Sequence, residues 1–173
     1  MISAYASLLA VTTSELLAYL DSSGIAASTV EHPPVFTVDE AARLREDLPG
    51  SRTKALFVRS RDGRFWILVT TADRRPDLRG VSVLLRCGRL SFASRDALAA
   101  QLGVVPGAVS PFAAANDSGG TVQVVLDSAL LALDQLGFHP LDNSMTTTIS
   151  PDGLIRFLES VDHPPTIVEF PCA

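Results

Sequence analysis

One loop of this chain combines the residue types that shape a binding site for a small ligand. Proline fixes the backbone angle φ and glycine adopts conformations closed to other residues, so the loop is predicted to have a defined shape. Gly107 would also let the backbone approach a ligand without a side chain in the way. An ordinary connector made of turn residues is the alternative. The loop residues are Gly103, Pro106, Gly107 and Pro111, and Asn116 and Asp117 follow them.

Lys54 is a second candidate for chemistry, because it is the only lysine among the fourteen basic residues of the chain. Arginine can replace lysine on most solvated surfaces, and this chain otherwise uses arginine. A position that stays lysine indicates a need for a compact ammonium whose pKa its surroundings can tune. Chance retention of one surface lysine is the alternative.

The remaining reactive side chains argue against a metal site or a serine nucleophile. The three histidines have no metal-ligand spacing such as HxxxH, and no GxSxG motif is present. Cys87 and Cys172 stand 85 residues apart with no ligand spacing around them, which is typical of idle thiols in a reducing cytoplasm. We therefore expect no metal, no cofactor and a cytoplasmic location.

The formal net charge of −5 hides a strong asymmetry along the chain. Residues 43–95 hold thirteen of the fourteen basic residues and carry a net charge of +8, whereas the remainder carries −13. Such asymmetry suits a protein that offers one basic surface to a polyanion. The alternative is a set of solvated arginines that pair with acids from the other segments. The candidate phosphate contacts are Arg52, Arg74, Arg75 and Arg79.

The elements that must position these residues are typical of a mixed α/β protein. The chain has 173 residues, of which 47% are hydrophobic, and this length favours one domain over residues 1–173 with a proper core. Residues 1–11 are too short to span a membrane and lack a basic start, so we expect residues 1–13 to be an N-terminal extension.

Helix caps, apolar spacing and turn residues locate the elements. Many strands and short helices without regular βαβ alternation favour a mixed sheet flanked by helices. Helices are predicted over 14–24, 37–47, 76–85, 94–102, 127–135 and 154–160. Strands are predicted over 28–31, 55–59, 65–70, 90–93, 121–126, 138–139, 146–149 and 166–170.

Several separate motifs, which fall in the same order, resemble one family. They are EHPPVFTVDEA at 31–41, the Thr53–Lys54 pair, RLSFAS at 89–94, LGVVPGAVSPFAAAND at 102–117 and FHPLDNSMTTTIS at 138–150. Together they place roughly residues 14–170 within the resemblance. The chain resembles the bacterial prolyl-tRNA-synthetase-associated editing domains of the YbaK/INS-like superfamily, and within it the freestanding alanyl-tRNA(Pro) deacylases called ProXp-ala or PrdX.

The resemblance implies a fold and a reaction. The implied fold is a single mixed α/β domain in which a curved mixed sheet is flanked by helices around a central cleft. The implied reaction is trans-editing, the hydrolysis of the ester that joins alanine to the terminal adenosine of mischarged tRNA(Pro). Because that ester is already activated, positioning and charge stabilisation matter more than a strong nucleophile. The implied partners are the tRNA(Pro) acceptor end and prolyl-tRNA synthetase or an elongation factor, with no membrane and no DNA.

The resemblance also implies roles for particular residues. Lys54 matches the family's essential lysine and is expected to bind the terminal phosphate or to stabilise negative charge on the carbonyl oxygen. The ribose 2′-hydroxyl is expected to assist, and a pocket sized for alanine excludes proline sterically. The expected catalytic residues are Lys54, Gly107, Ser110, Asn116, Asp117 and His139. The expected substrate-binding residues are Val35, Phe36, Thr37, Gly103, Pro106, Asn143, Thr146 and Thr147.

Simpler roles stay open for several of these residues. Asp117 could be a turn residue, and His139 could be a buried imidazole that fixes its strand. His32 is expected to be structural or at the rim of the cleft, and His163 to be a solvated turn residue. The alternative functions are a deacylase for Cys-tRNA(Pro) or another small aminoacyl-tRNA, and a non-catalytic tRNA-binding or synthetase-binding module. A small-molecule-binding protein fits poorly with the basic central segment.

Overall fold

Four α-helices, two 3-10 helices and eight strands form within residues 10–34 and 53–173, the part of the chain that the computed structural model describes. The α-helices are α1 (Thr13–Ser22), α2 (Leu78–Leu84), α3 (Arg95–Leu102) and α4 (Pro151–Ser160). The 3-10 helices are Pro111–Asn116 and Ser128–Ala132. The strands are β1 (Ala27–Glu31), β2 (Thr53–Ser60), β3 (Phe65–Thr71), β4 (Leu90–Phe92), β5 (Val122–Asp127), β6 (Leu136–Phe138), β7 (Met145–Ile149) and β8 (Thr166–Val168).

The larger sheet is mixed and has the strand order β4-β2-β3-β5-β8. β2 pairs antiparallel with both β3 and β4, whereas β3–β5 and β5–β8 are parallel pairs. Alternate residues of the central strands face two separate hydrophobic clusters, with Phe57 and Ile67 in one and Val58 and Trp66 in the other. Because both faces are covered, β3 and β5 are almost continuously apolar.

Helices cover the two faces of this sheet unequally. The larger cluster takes buried residues from α1, α3, α4 and the 3-10 helix Pro111–Asn116, including Phe112 and Phe157, whose rings meet edge to face at 5.2 Å. The smaller cluster is covered by α2 through Val81 and by Phe170 after β8. The α2 side of the sheet therefore has the thinner cover.

The second sheet is antiparallel, has the order β1-β7-β6 and contacts β2 of the first sheet through β6. The hydroxyl of Thr53 donates a hydrogen bond to the carbonyl of Gly137 in β6. Within the small sheet the hydroxyls of Thr29 and Thr147 lie 2.8 Å apart across β1 and β7. This junction brings the start of β2 next to the segment that follows β6.

Side-chain caps explain where the helices begin. Thr12 caps α1 in a reciprocal capping box with Glu15, and Asp77, Ser94 and Ser150 accept backbone N–H bonds at the starts of α2, α3 and α4. Among the described residues, no helix has the length and apolar character that crossing a bilayer requires.

The predicted fold class, a mixed α/β domain flanked by helices, is confirmed, and the structure divides the strands between two sheets. The helix predicted over 127–135 is wrong in type and length, because the chain forms the 3-10 helix Ser128–Ala132 and enters β6 at Leu136. The latter part of the predicted loop, Pro111–Asn116, is a largely buried 3-10 helix. The helix predicted over 37–47 lies outside the described residues.

A comparison of two glycines shows how tightly the start of the loop after α3 is packed. Gly24 and Gly103 follow α1 and α3 with φ of +64° and +63°. A Cβ at Gly103 would lie 2.7 Å from the Cβ of Ala10 and 3.3 Å from Nδ2 of Asn116, whereas no described atom lies within 4 Å of one at Gly24. We expect Gly24→Ala to lower the free energy of unfolding by about 1 kcal/mol and Gly103→Ala by about 2–3 kcal/mol, because only the second forces its neighbours apart. Urea denaturation measures both, and equal losses would contradict the packing argument.

Candidate active site

The loop after α3 meets the segment after β6. Gly107 has φ of +94°, and its exposed backbone faces Asn143, whose Nδ2 would lie 4.0 Å from a Cβ at that position. Gly103 and Pro106 are also exposed, whereas Ser110 is only 1% exposed. The Ser110 hydroxyl is buried with no hydrogen-bond partner among the described residues. The loop thus presents open backbone beside an amide side chain, with a buried hydroxyl at its end.

Two histidine rings lie side by side at the end of the small sheet, with centroids 5.9 Å apart. Nδ1 of His139 lies 2.7 Å from the carbonyl oxygen of Met145, and Nδ1 of His32 lies 3.0 Å from that of Pro33. Since a carbonyl only accepts, both Nδ1 atoms carry the proton. Nε2 of His32 lies 3.0 Å from the hydroxyl of Thr146. These bonds fix the tautomer of both rings.

A carboxylate stands beside the two rings. The hydroxyl and backbone N–H of Ser144 donate to Oδ1 of Asp142 over 2.6 and 2.8 Å. These hydrogen bonds, with smaller contributions from His139 and His32, hold the pKa of Asp142 below its usual range. Asp142 therefore keeps a negative charge next to the histidines throughout the neutral pH range.

Lys54 lies at the start of β2, where neighbouring side chains point to opposite faces of the sheet. Thr53 reaches β6 on one face. On the other, Nζ of Lys54 donates to the carbonyl of Ala72, 3.1 Å away, and to the carbonyl of Arg74. Both carbonyls belong to the turn after β3. The half-buried ammonium is thus held by backbone dipoles at the end of the sheet that adjoins β6.

Asn116 connects the ends of two helices by hydrogen bonds to the backbone. Its Oδ1 accepts from the N–H of Val11, just before α1, and its Nδ2 donates to the carbonyl of Leu102 at the end of α3, both over 2.7 Å. The side chain therefore fastens the entry to the exposed loop.

Asp117 is buried and accepts three bonds. Its carboxylate receives the hydroxyl of Thr121 at 3.0 Å and the N–H of Val122 at 2.6 Å, and Nε2 of His163 lies 3.1 Å away. The expectation that His163 is solvated is wrong, because it is 6% exposed and its other nitrogen lies 2.8 Å from the carbonyl oxygen of Val161. Both nitrogens face acceptors, so the ring joins the end of α4 to the start of β5.

The candidate arginines differ in orientation. Arg75 and Arg79 are exposed on the turn after β3 and on α2. Arg74 instead points inward, with Nη2 donating to the carbonyl of Phe170 over 2.7 Å and Nε 2.9 Å from Oδ2 of Asp127. The Nε–H is not aligned with that oxygen, so this second contact is an ion pair rather than a hydrogen bond. Arg52, Val35, Phe36 and Thr37 lie outside the described residues.

The chemistry of the described residues is that of fixed charges and hydrogen bonds. No group of three or more His, Cys, Asp or Glu among them is arranged to hold a metal ion. Burial raises the pKa of the Cys87 thiol, which keeps it protonated and a poor nucleophile.

Sequence reasoning missed several contacts of this site. It assigned no role beside His139 to His32 and none to Asp142, although both stand within the quoted motifs. It placed Asp127 only at the start of the helix predicted over 127–135, whereas that carboxylate is fully buried and pairs with Arg74. An acid at the end of the apolar run of β5 was the available signal, because a buried carboxylate requires a partner.

Comparison with known proteins gives consistent results. Residues 32–157 match the aminoacyl-tRNA editing domain family. The prolyl-tRNA editing protein ProX of Acetoanaerobium sticklandii is 34% identical over 146 residues, which are 84% of this chain and 89% of that protein. The prolyl-tRNA synthetase associated domain-containing protein 1 of Xenopus laevis is 34% identical over 161 residues, 90% of this chain and 95% of that protein. The crystal structure of a candidate trans-editing enzyme for prolyl tRNA synthetase superposes with a TM-score of 0.72 at 18% identity, covering 95% of this chain and all of that chain, and this likeness shows the fold.

The contribution of the buried pair Asp117 and His163 to the stability of the fold can be tested by substitution. We expect Asp117→Asn and His163→Gln each to lower the free energy of unfolding by about 2–3 kcal/mol, since each leaves a buried polar group without its partner. The double variant should lose less than the sum, because the two residues share one interaction. Urea denaturation measures all three, with the exposed neighbour Asp162→Asn as the matched control. Additive losses would show that the two side chains do not interact.

Proposed function

The chain belongs to the aminoacyl-tRNA editing domain family, and on that premise we propose that it is a trans-editing enzyme that hydrolyses mischarged Ala-tRNA(Pro). It is an aminoacyl-tRNA deacylase, as the family match and the similarity to a prolyl-tRNA editing protein support. The names of the relatives favour tRNA(Pro) as the carrier. Alanine, rather than cysteine, is our proposal for the amino acid.

The observation that carries this proposal is the ammonium of Lys54, which backbone carbonyls hold at the start of β2, one residue from Thr53 and its bond to β6. Water gives up a proton to a base as it adds to the ester carbonyl, which produces a tetrahedral intermediate whose oxygen is negative. The bond to the ribose 3′-oxygen then breaks, that oxygen takes a proton, and alanine leaves. A positive charge already held in place stabilises the oxyanion without reorganisation, or it binds the terminal phosphate.

The exposed backbone of Gly107 beside Asn143 is the proposed place of the aminoacyl and ribose end. Backbone N–H groups of the loop would orient the ester and the ribose 2′-hydroxyl, which assists the reaction. The buried Ser110 hydroxyl supplies a further donor at the end of this loop. A pocket of this kind discriminates by size, so one that fits alanine keeps proline out. The other residues proposed to line it are Val35, Phe36, Thr37, Gly103, Pro106, Thr146 and Thr147.

His139 is the proposed acid–base group, and its bond to the Met145 carbonyl leaves Nε2 as the basic nitrogen. Asn116 and Asp117 act, in this proposal, by holding the loop. The backbone bonds of both side chains support that role over direct contact with substrate.

The proposed partner is the acceptor end of tRNA(Pro). Arg75 and Arg79 are exposed on the segment that continues from the Arg74 carbonyl bound by Lys54, which suits contact with phosphates close to the ester. Prolyl-tRNA synthetase or an elongation factor would deliver or compete for the same tRNA. This work would take place in the cytoplasm, where tRNA is charged.

A deacylation panel tests the proposal. Purified protein is incubated with Ala-tRNA(Pro), Pro-tRNA(Pro) and Cys-tRNA(Pro), and the wild type is compared with Lys54→Ala and Lys54→Arg. We expect selective loss of alanine and a fall in kcat/KM of about 100-fold or more in Lys54→Ala, because one transition-state charge contact is removed. Lys54→Arg should also be slow, since guanidinium does not fit the site of a compact ammonium.

The other outcomes of this panel are equally informative. Preferred hydrolysis of Cys-tRNA(Pro) would contradict the alanine assignment. If no substrate is hydrolysed and tRNA still binds, the protein is a tRNA-binding module rather than an enzyme.

The exposed arginines are tested by the salt dependence of tRNA binding. Arg75→Ala and Arg79→Ala should each weaken binding and lower the slope of log K against log salt by about 0.7–0.9, the value for one phosphate contact. Arg156→Ala is the matched control, because Arg156 is exposed on α4, which packs on the opposite face of the sheet. Unchanged slopes for Arg75→Ala and Arg79→Ala would remove both residues from the tRNA surface.

A further inference from the structure

We infer that Arg74 and Asp127 are a positioning pair for the Lys54 ammonium, acting through the turn that follows β3. This inference rests on the proposed function for the importance of Lys54, but its geometry stands by itself. Arg74 is then no longer one of the proposed tRNA-binding residues. Together with Asp127 it supports Lys54, the proposed catalytic group.

The turn after β3 supplies the carbonyls that hold Lys54. The N–H of Arg74 closes the turn on the carbonyl of Thr71 over 3.3 Å. The carbonyls of Ala72 and Arg74 then both point at Nζ of Lys54. A shift of this turn would therefore move these two acceptors of the ammonium together.

The Arg74 side chain fastens that turn to the body of the protein. Its guanidinium bridges Asp127 at the end of β5 and the carbonyl of Phe170 beyond β8. One residue thus binds Lys54 with its backbone carbonyl and the sheet with its side chain. The fixed planar shape of guanidinium allows it to span two acceptors, which an ammonium could not do in the same way.

The surroundings of Asp127 favour an ion pair with this arginine. It is fully buried, and its carboxylate also accepts from the hydroxyl of Thr70 over 2.6 Å and from the N–H groups of Ala129 and Phe170 over 3.3 Å each. Thr70 is the residue paired with Lys54 in the β2–β3 register. Hence the same carboxylate fixes the strand beside Lys54 and the turn in front of it.

Burial separates this role from phosphate binding. The Arg74 side chain is 27% exposed and that of Asp127 is 0% exposed, so releasing the arginine to a phosphate would leave a buried carboxylate without its cation. The neighbouring Arg75 has the same charge and is exposed. The two arginines therefore form a matched pair in which only the direction of the side chain differs.

The first experiment uses the fact that Lys54 is the only lysine. Protein labelled with carbon-13 lysine gives one lysine side-chain signal set in NMR spectra, which reports Lys54 directly without substrate. In Arg74→Ala we expect the shifts of the two ε-methylene protons to draw closer together and to move toward that of free lysine, because the carbonyls of Ala72 and Arg74 are no longer held in place. Arg75→Ala should leave the signal unchanged. An unaltered Lys54 signal in folded Arg74→Ala would overturn the inference.

Kinetics provides the second readout. Arg74→Ala should lower kcat for deacylation about 10- to 100-fold through misplacement of Lys54, with little change in KM or in the salt slope of tRNA binding. Arg75→Ala should instead raise KM and lower the salt slope of tRNA binding, because it removes a proposed phosphate contact. A lowered salt slope with normal kcat in Arg74→Ala would make Arg74 a phosphate contact and overturn the inference.

Two further variants test the inference in case Arg74→Ala does not fold. Arg74→Lys keeps the cation near Asp127 but gives up the bridge, and Arg74→Met with Asp127→Asn removes both charges together. Each should alter the Lys54 signal and lower kcat, and a normal signal with normal kcat in either folded variant contradicts the positioning role. If Lys54→Ala were fully active, the proposed function would fail, whereas the NMR comparison would still decide whether Arg74 positions Lys54.

Discussion

A buried carboxylate needs a cation and hydrogen bonds, and that requirement organises the end of the sheet at which Lys54 lies. Asp127 is completely buried where β5 ends, and it binds the end of β3, the chain beyond β8 and the turn that carries Arg74. An uncompensated charge there would cost several kcal/mol, so these segments are held in one arrangement. The turn in front of Lys54 is consequently tied to the sheet through the side chain of Arg74.

The small sheet positions a second group of candidate residues by a different means. Thr53 anchors β6 to β2, and the chain beyond β6 carries His139 and Asn143 toward the exposed backbone of Gly107. The loop of Gly107 is held from behind by Asn116. Hydrogen bonds to backbone atoms thus help to position the candidate groups. Such positioning suits an activated ester, whose hydrolysis depends on orientation and charge.

Local patterns were sufficient for much of the fold. The side-chain caps of Thr12, Ser94 and Ser150 and the turn between β2 and β3 depend on neighbours in sequence, and the structure contains each of them. The family resemblance is confirmed by the match over residues 32–157. Long-range pairs left no such signal. His163 and Asp117 are 46 residues apart, and the turn-like DHPP context of His163 gave no sign that a carboxylate would cover it.

The distribution of charge was also difficult to predict from the sequence, because the net charge of a segment is not the charge of the surface that the segment forms. The basic segment includes Arg74, whose charge is met by an acid from outside that segment, and Arg64, which pairs with Asp62 at 2.8 Å. Arg64 also lies over the ring of Trp66, with 5.3 Å between its guanidinium carbon and the ring centroid. Arginine is thus used here both for structure and for solvent-facing charge. Arg74 and Arg75 are identical neighbours in sequence, and in the folded chain Asp127 and the carbonyl of Phe170 hold Arg74 inward while Arg75 is exposed.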